Sequence, residues 1–196
     1  MRTAAIAGLC SPDFLFLKEP AGPLGDYPLA ARLSYFLTRG PPDAELLRLA
    51  AAGSLTSPET LRGQTERLLQ SPALDRFITD FTDGWLNLRE IDFTTPDKLL
   101  YPEYDDLLLD SMLRETRAFI TELITGNLGA ANLIHSDFAM LNSRLARHYS
   151  IAGVSGLAVR KVPLPADSRR GGLLTQASVL KVSANGTNTS PVVRGI

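Results

Sequence analysis

Apolar and polar positions along this chain follow the period of helices far more than that of strands. Leu29, Leu33, Phe36 and Leu37 recur at helical spacing, so a helix is predicted from Asp26 that ends at Gly40-Pro41-Pro42. Asp43 caps a short helix over 44–52, closed by Gly53. Ser57-Pro58 and Ser71-Pro72 open the next two, because serine accepts an orphan N–H and proline lacks one at the first helical position. The first turns Leu61, Leu68 and Leu69 inward. The second runs through Leu74, Phe77, Ile78, Phe81, Trp85 and Leu88, and Gly84 predicts the close approach of a neighbouring helix.

After a connection from Arg89 to Pro102, the longest helix is predicted at about 103–125. Its first turns are acidic (Glu103, Asp105, Asp106, Asp110), which complements the helix dipole. Leu109, Met112, Leu113, Phe119, Ile120, Leu123 and Ile124 form its apolar stripe, and Gly126-Asn127 stops it. A turn follows at 132–136, and Asn142 opens a further helix with Arg144 and His148 one turn apart. Ahead of all this, Phe14 to Leu17 is a dense apolar patch expected to be buried. The N-terminal MRTAAIAGLC reads as one or two turns of amphipathic helix with Cys10 as a small buried hydrophobe.

The pattern changes beyond Gly156. Val159 to Leu164 has extended character, and Arg169 to Ile196 is polar and glycine-rich. Gly171-Gly172 starts a short helix through Leu180. Ser-Ala-Asn-Gly-Thr-Asn-Thr then forms a loop, and Ser190-Pro191 starts another helical turn. No alternation of strands and helices supports a parallel-sheet enzyme fold. The predicted class is all-α: an irregular multi-helix bundle with a short extended arm and a polar C-terminal junction segment.

Composition changes this picture little. The chain has 196 residues, 44% hydrophobic and 21% charged, with a net charge of −1, which leaves no electrostatic footprint for nucleic acid. A single cysteine excludes an internal disulfide and a CxxCH haem attachment within the chain. No stretch is apolar for long enough to span a membrane. The apolar run from Ala4 to Leu9 is too short for a signal peptide, and Leu9 is a poor neighbour for a lipidated cysteine.

Candidate chemistry is sparse. No HExxH, GxSxG or Glu-x-x-His pattern occurs, so no catalytic, cofactor-binding or metal-ligating residue is assigned. Asp80, Asp83, Glu90 and Asp92 around Trp85 read as a solvated face. His135 reads as a loop residue, and His148 stands near a helix end where a positive charge suits the dipole. Arg169-Arg170-Gly171-Gly172 combines bare backbone N–H groups with cations, a setting in which an anion can bind or the arginines can pair with the acidic helix.

Four stretches, in order, carry a family resemblance: YPLAARLSYFLTRGPPDAELLRLA, FTDGWLNLREID, SDFAMLNSRLARHYSI and RRGGLLTQASVLKVSANGTNTSPVVRG. They resemble the large cytochrome-c-like multidomain proteins of planctomycetes and verrucomicrobia. The first three are similar to domain of unknown function family 1592, and the last to the start of the adjoining family 1588. The resemblance implies a helical domain over 1–158 and the beginning of a second over 159–196, cut short within a fragment. It implies an exported protein, periplasmic or extracellular, whose longer relatives carry haem c downstream. The expected partner is that haem-bearing domain, with no haem in this chain. Positions shared with the family that form a candidate functional surface are His148, Arg144, Arg170, Gly171, Gly172, Gln176, Ser178 and Arg194. The expected function is a non-catalytic packing or interaction module beside the haem domain. The alternatives are part of a hydrolase or oxidoreductase acting on polymeric or sugar substrates, and a partner-binding module whose polar tail folds on binding.

Overall fold

A computed structural model describes residues 2–16, 19, 21–165 and 167–189. It contains helices α1 (Arg2–Leu9), α2 (Pro12–Leu15), α3 (Asp26–Thr38), α4 (Ala44–Ala51), α5 (Pro58–Leu69), α6 (Leu74–Trp85), α7 (Asp106–Thr125), α8 (Ser143–His148) and α9 (Ala177–Val182). Strands β1 (Phe138–Leu141) and β2 (Arg160–Pro163) form one antiparallel pair, with Phe138 opposite Pro163 and Leu141 opposite Arg160. The chain divides into two compact units, one up to Phe77 and one from Ile78 onward. Among the described residues, no helix is long and apolar enough to cross a membrane.

In the first unit, α3, α4 and α5 enclose a core of Ala30, Leu37, Leu46, Ala50, Leu55 and Leu68. Caps define these helices as expected: Asp43 accepts Leu46 N–H at 3.0 Å, and Ser57 accepts Thr60 N–H at 3.2 Å. Asp43 also pairs with Arg67 at 2.7 Å, and that pairing holds its carboxyl below the usual range. Asp26 does more than open α3, because its Oδ1 accepts the N–H groups of Leu55 and Thr56 at 2.6 and 3.0 Å. The expected burial of Phe14 to Leu17 does not occur where it is described: Phe14, Leu15 and Phe16 are exposed, and Leu17 lies outside the described residues. A one-turn helix cannot point consecutive apolar side chains to one side. Cys10 is likewise exposed rather than buried, and α1 has no buried residue.

In the second unit α7 is the spine. Its buried stripe is Leu108, Met112, Phe119, Ile120 and Leu123, and β1, α8 and α9 pack along it. Asp105 caps it by accepting Leu108 N–H at 2.7 Å. The all-α expectation is corrected to a mainly helical fold with a small sheet. β2 matches the expected extended arm, whereas β1 falls between the turn expected at 132–136 and the helix expected from Asn142, where no element was read. Three of its four residues are buried, so it shows no polar–apolar alternation to betray a strand. The close helix approach expected at Gly84 is absent, since a Cβ there would meet nothing within 4 Å. The described part of 159–196 is integrated with what precedes it: β2 pairs with β1, and α9 lies on α7.

Candidate functional site

Asn142 sets the geometry of α8, and α8 in turn places two candidate residues. The Asn142 Oδ1 accepts Leu145 N–H at 3.0 Å. Its Nδ2 donates to Ser111 Oγ on α7 at 2.9 Å and to the Leu157 carbonyl at 3.3 Å. The cap therefore fixes the helix end and its seat on α7 together. Arg144, in the first turn of α8, donates to the Glu103 carbonyl and stands 3.1 Å from Asp105 Oδ2. His148, in the last turn, holds Nδ1 3.4 Å from Glu103 Oε1. Burial pushes the His148 imidazole down, and the cations Arg170 and Arg144 push the same way, opposed by Glu103. The balance favours the neutral form of the ring.

A second polar group lies behind this one. Glu115 of α7 is fully buried, and the Tyr149 hydroxyl donates to its Oε2 at 2.5 Å. Tyr149 Oη in turn accepts the Ala177 N–H at 2.8 Å. Burial pushes the Glu115 carboxyl up to about 8, so it is protonated at neutral pH, while Tyr149 and Arg170 act in the opposite direction. Arg170 stacks its guanidinium 3.6 Å from the centre of the Tyr149 ring and donates from Nη1 to the Thr175 carbonyl at 2.8 Å.

The two groups meet at a cleft of about 220 Å³. Leu108, Met112 and Ala177 form part of its floor, and Tyr101, Tyr104, Pro96 and Leu180 add apolar wall. Glu103, His148 and Arg170 gather polar atoms in the lining, and the loop 184–189 completes it. That loop is held in place by the Tyr101 hydroxyl, which donates to the Thr187 carbonyl at 2.8 Å, and by Asp97 N–H, which donates to the Gly186 carbonyl at 2.9 Å. Lys181 also lines the cleft. Its Nζ donates to the carbonyls of Ile91 and Thr94 at 2.7 and 2.5 Å, and burial pushes its pKa down.

The expected surface residues are thus only partly brought together. His148 and Arg170 share the cleft, and Arg144 braces its edge. Gln176 and Ser178 are buried instead: Thr116 donates to Gln176 Oε1 at 2.5 Å, and its hydroxyl lies 2.5 Å from Ser178 Oγ. These hydroxyl and amide groups dock α9 onto α7, because a buried polar atom must find a partner. Gly171 and Gly172 do not form an open anion cradle. A Cβ at Gly171 would lie 2.4 Å from the Ser136 carbonyl oxygen, and one at Gly172 would lie 2.3 Å from that of Ile134. Their φ angles of 141° and 85° also favour glycine. Arg194 lies outside the described residues, as does the helical turn expected at Ser190-Pro191.

Sequence reasoning read Glu103 only as part of an acidic helix start, and it did not single out Glu115, Tyr104 or Lys181. For two of them a signal was available. Glu115 interrupts the stripe between Met112 and Phe119, and Lys181 stands within an otherwise apolar Ala-Ser-Val-Leu-Lys-Val. Charged residues at core positions are rare unless satisfied by a partner. Among the described residues, no cluster of three or more His, Cys, Asp or Glu side chains could hold a metal ion.

A family model described as PSD4, protein of unknown function (DUF1592), matches residues 24–151. The chain belongs to the DUF1592 family. The DUF1592 match includes Glu103, Tyr104, Leu108, Met112 and His148 of the cleft, whereas Arg170, Lys181 and the 184–189 wall lie beyond it. No curated protein and no solved structure matches the chain.

Proposed function

We propose that this DUF1592 chain is a non-catalytic binding and packing module of an exported, haem-c-associated multidomain protein, and that the cleft is its working surface toward a neighbouring haem-bearing domain. The observation that carries this reading is the way polar groups in and behind the cleft are committed to one another. Arg144 is tied to Glu103 and Asp105, Lys181 to two carbonyls, and Tyr149 to Glu115 and Ala177. Such bonds hold a shape rigid for recognition. The family resemblance supplies the haem domain and the exported setting.

A longer polypeptide carrying the CxxCH segment, matured with haem, tests it. Cleavage by trypsin after the exposed Arg169 should slow markedly in that polypeptide relative to the present chain. Equal cleavage rates would remove the docking role.

The enzyme reading, a hydrolase or oxidoreductase acting on polymeric or sugar substrates, is favoured by one specific observation. His148, Glu103 and Arg170 converge on one cleft, and a neutral imidazole beside a carboxylate can serve as a general base. Turnover of polysaccharide or glycoside substrates that vanishes in His148→Gln would support it; activity unchanged by that substitution would end it. The third reading, a tail that folds on binding, lacks the broad apolar patch it requires, because Leu173, Ala177 and Val179 are buried and only Leu174 among the apolar residues of 173–180 is exposed.

A further inference from the structure

The lining of the cleft specifies the chemistry of an occupant. Its volume of about 220 Å³, that of about seven water molecules, gives room for a small ligand. The walls are chiefly hydrocarbon and aromatic: Leu108, Met112 and Leu180 with Tyr101 and Tyr104. A flat ring between aromatic and thioether groups gains both burial and ring contacts.

The polar lining carries one cation with capacity to spare. Arg170 is stacked on Tyr149 and spends Nη1 on the Thr175 carbonyl, and among the described residues no carboxylate forms an ion pair with it. The nearby Glu115 carries its proton at neutral pH and does not neutralise it. Lys181 is already directed at Ile91 and Thr94, with Asp92 acting on it from nearby. The neighbouring Glu103 carboxylate disfavours a dianion such as a phosphate monoester, whereas a planar guanidinium matches a carboxylate in both shape and charge.

We propose that the cleft binds a small ring-bearing carboxylate, with its ring against Leu108, Met112 and the two tyrosines and its carboxylate on Arg170 beside His148. This rests on the reading of the cleft as the working surface and names what it holds. The bound anion also places a proton-linked group within reach. Facing Glu115 are the Tyr149 hydroxyl, the Ala177 N–H and the Arg170 charge; facing Arg170 are Glu115, the Tyr149 ring and His148. When Glu115 ionises, it draws on the same guanidinium that holds the ligand, so affinity falls as pH rises through about 8.

Benzoate, benzamide and phenyl phosphate titrated into the whole chain, followed by NMR shifts of the tyrosine rings, form the test. Benzoate should saturate at pH 6.5 and shift Tyr101 and Tyr104, with benzamide and phenyl phosphate about tenfold weaker or more. Arg170→Gln should remove that preference for benzoate over benzamide. Leu180→Trp, which fills the cleft and leaves Arg170 in place, should weaken all three together. Equal binding of benzoate and benzamide, a preference for phenyl phosphate, or a benzoate preference that survives Arg170→Gln would each overturn the proposal. So would no saturable binding of benzoate in a chain whose fold is intact. The trypsin experiment reads the docking surface without any added ligand, so failure there and failure here are separate results.

Discussion

The Tyr149 hydroxyl lies 2.5 Å from Glu115 Oε2, and it receives the Ala177 N–H at 2.8 Å. One phenol thereby joins the middle of α7, the end of α8 and the first residue of α9. This junction keeps a carboxylic acid neutral inside the core, with the Arg170 guanidinium stacked on the same phenol ring.

A pH signature follows from that junction. Glu115 ionises near pH 4.5 in an unfolded chain but at about 8 in the folded one. Between those values the folded state holds a proton that the unfolded state has lost, so folding stability falls as pH rises from about 4.5 to about 8 and then levels off. The full effect is on the order of 5 kcal/mol. Urea unfolding at pH 5, 7 and 9 should show this slope in the native chain and its loss in Glu115→Gln. A variant with the native slope would show that another group is responsible.

The two glycines ahead of the Leu173 turn should be intolerant of alanine. Gly171→Ala and Gly172→Ala each drive a Cβ into a backbone oxygen at a positive φ, with an expected loss of about 2–4 kcal/mol. Gly63 in α5 is the contrasting case, because a Cβ there meets nothing within 4 Å. Gly63→Ala should stabilise by about 0.5–1 kcal/mol. Thermal melts of the three variants decide the matter, and similar behaviour at all three positions would contradict the packing described at 134–136.

Asn142 should be costlier to replace than an ordinary cap. Asn142→Ala removes the Leu145 cap together with the bonds from Nδ2 to the buried Ser111 Oγ and to the Leu157 carbonyl, for an expected loss of about 2 kcal/mol or more. Ser57→Ala, at an exposed cap with no distant partner, should lose about 1 kcal/mol or less. Equal losses in chemical denaturation would mean that the Ser111 bond carries no weight.

His148 reports on the electrostatics of the cleft. Its pKa lies below the usual value, and Arg170 helps keep it there while Glu103 opposes. Arg170→Gln should therefore raise the His148 pKa, and Glu103→Gln should lower it further. Imidazole NMR titration separates the two signs, and a shift in the same direction in both variants would refute the arrangement.

Much of the scaffold was legible residue by residue. Asp43, Ser57 and Asn142 cap helices where the sequence pattern places them, and Gly126 stops α7, whereas Asp105, read as part of the first turn of α7, is its cap and Glu103 precedes the helix. Of the cleft, Arg144, His148 and Arg170 could be nominated, but not their relation. Glu103 reaches His148 across a gap of more than forty residues, and no local pattern records such a pairing. Gln176 and Ser178, nominated as positions shared with the family, are buried against Thr116, a partner some sixty residues away that no local pattern records.

The sequence alone determined the helical periods, most helix starts and stops, and membership of the DUF1592 family, because capping, proline and glycine act within a few residues of themselves. Tertiary structure alone decided that FAML would be a strand, that Glu115 would be sealed from water beneath Tyr149, and that Arg170 would stack over that ring at the edge of a cleft. Burial and the charge state it imposes are set by neighbours distant along the chain, and only the packed fold brings those neighbours into contact.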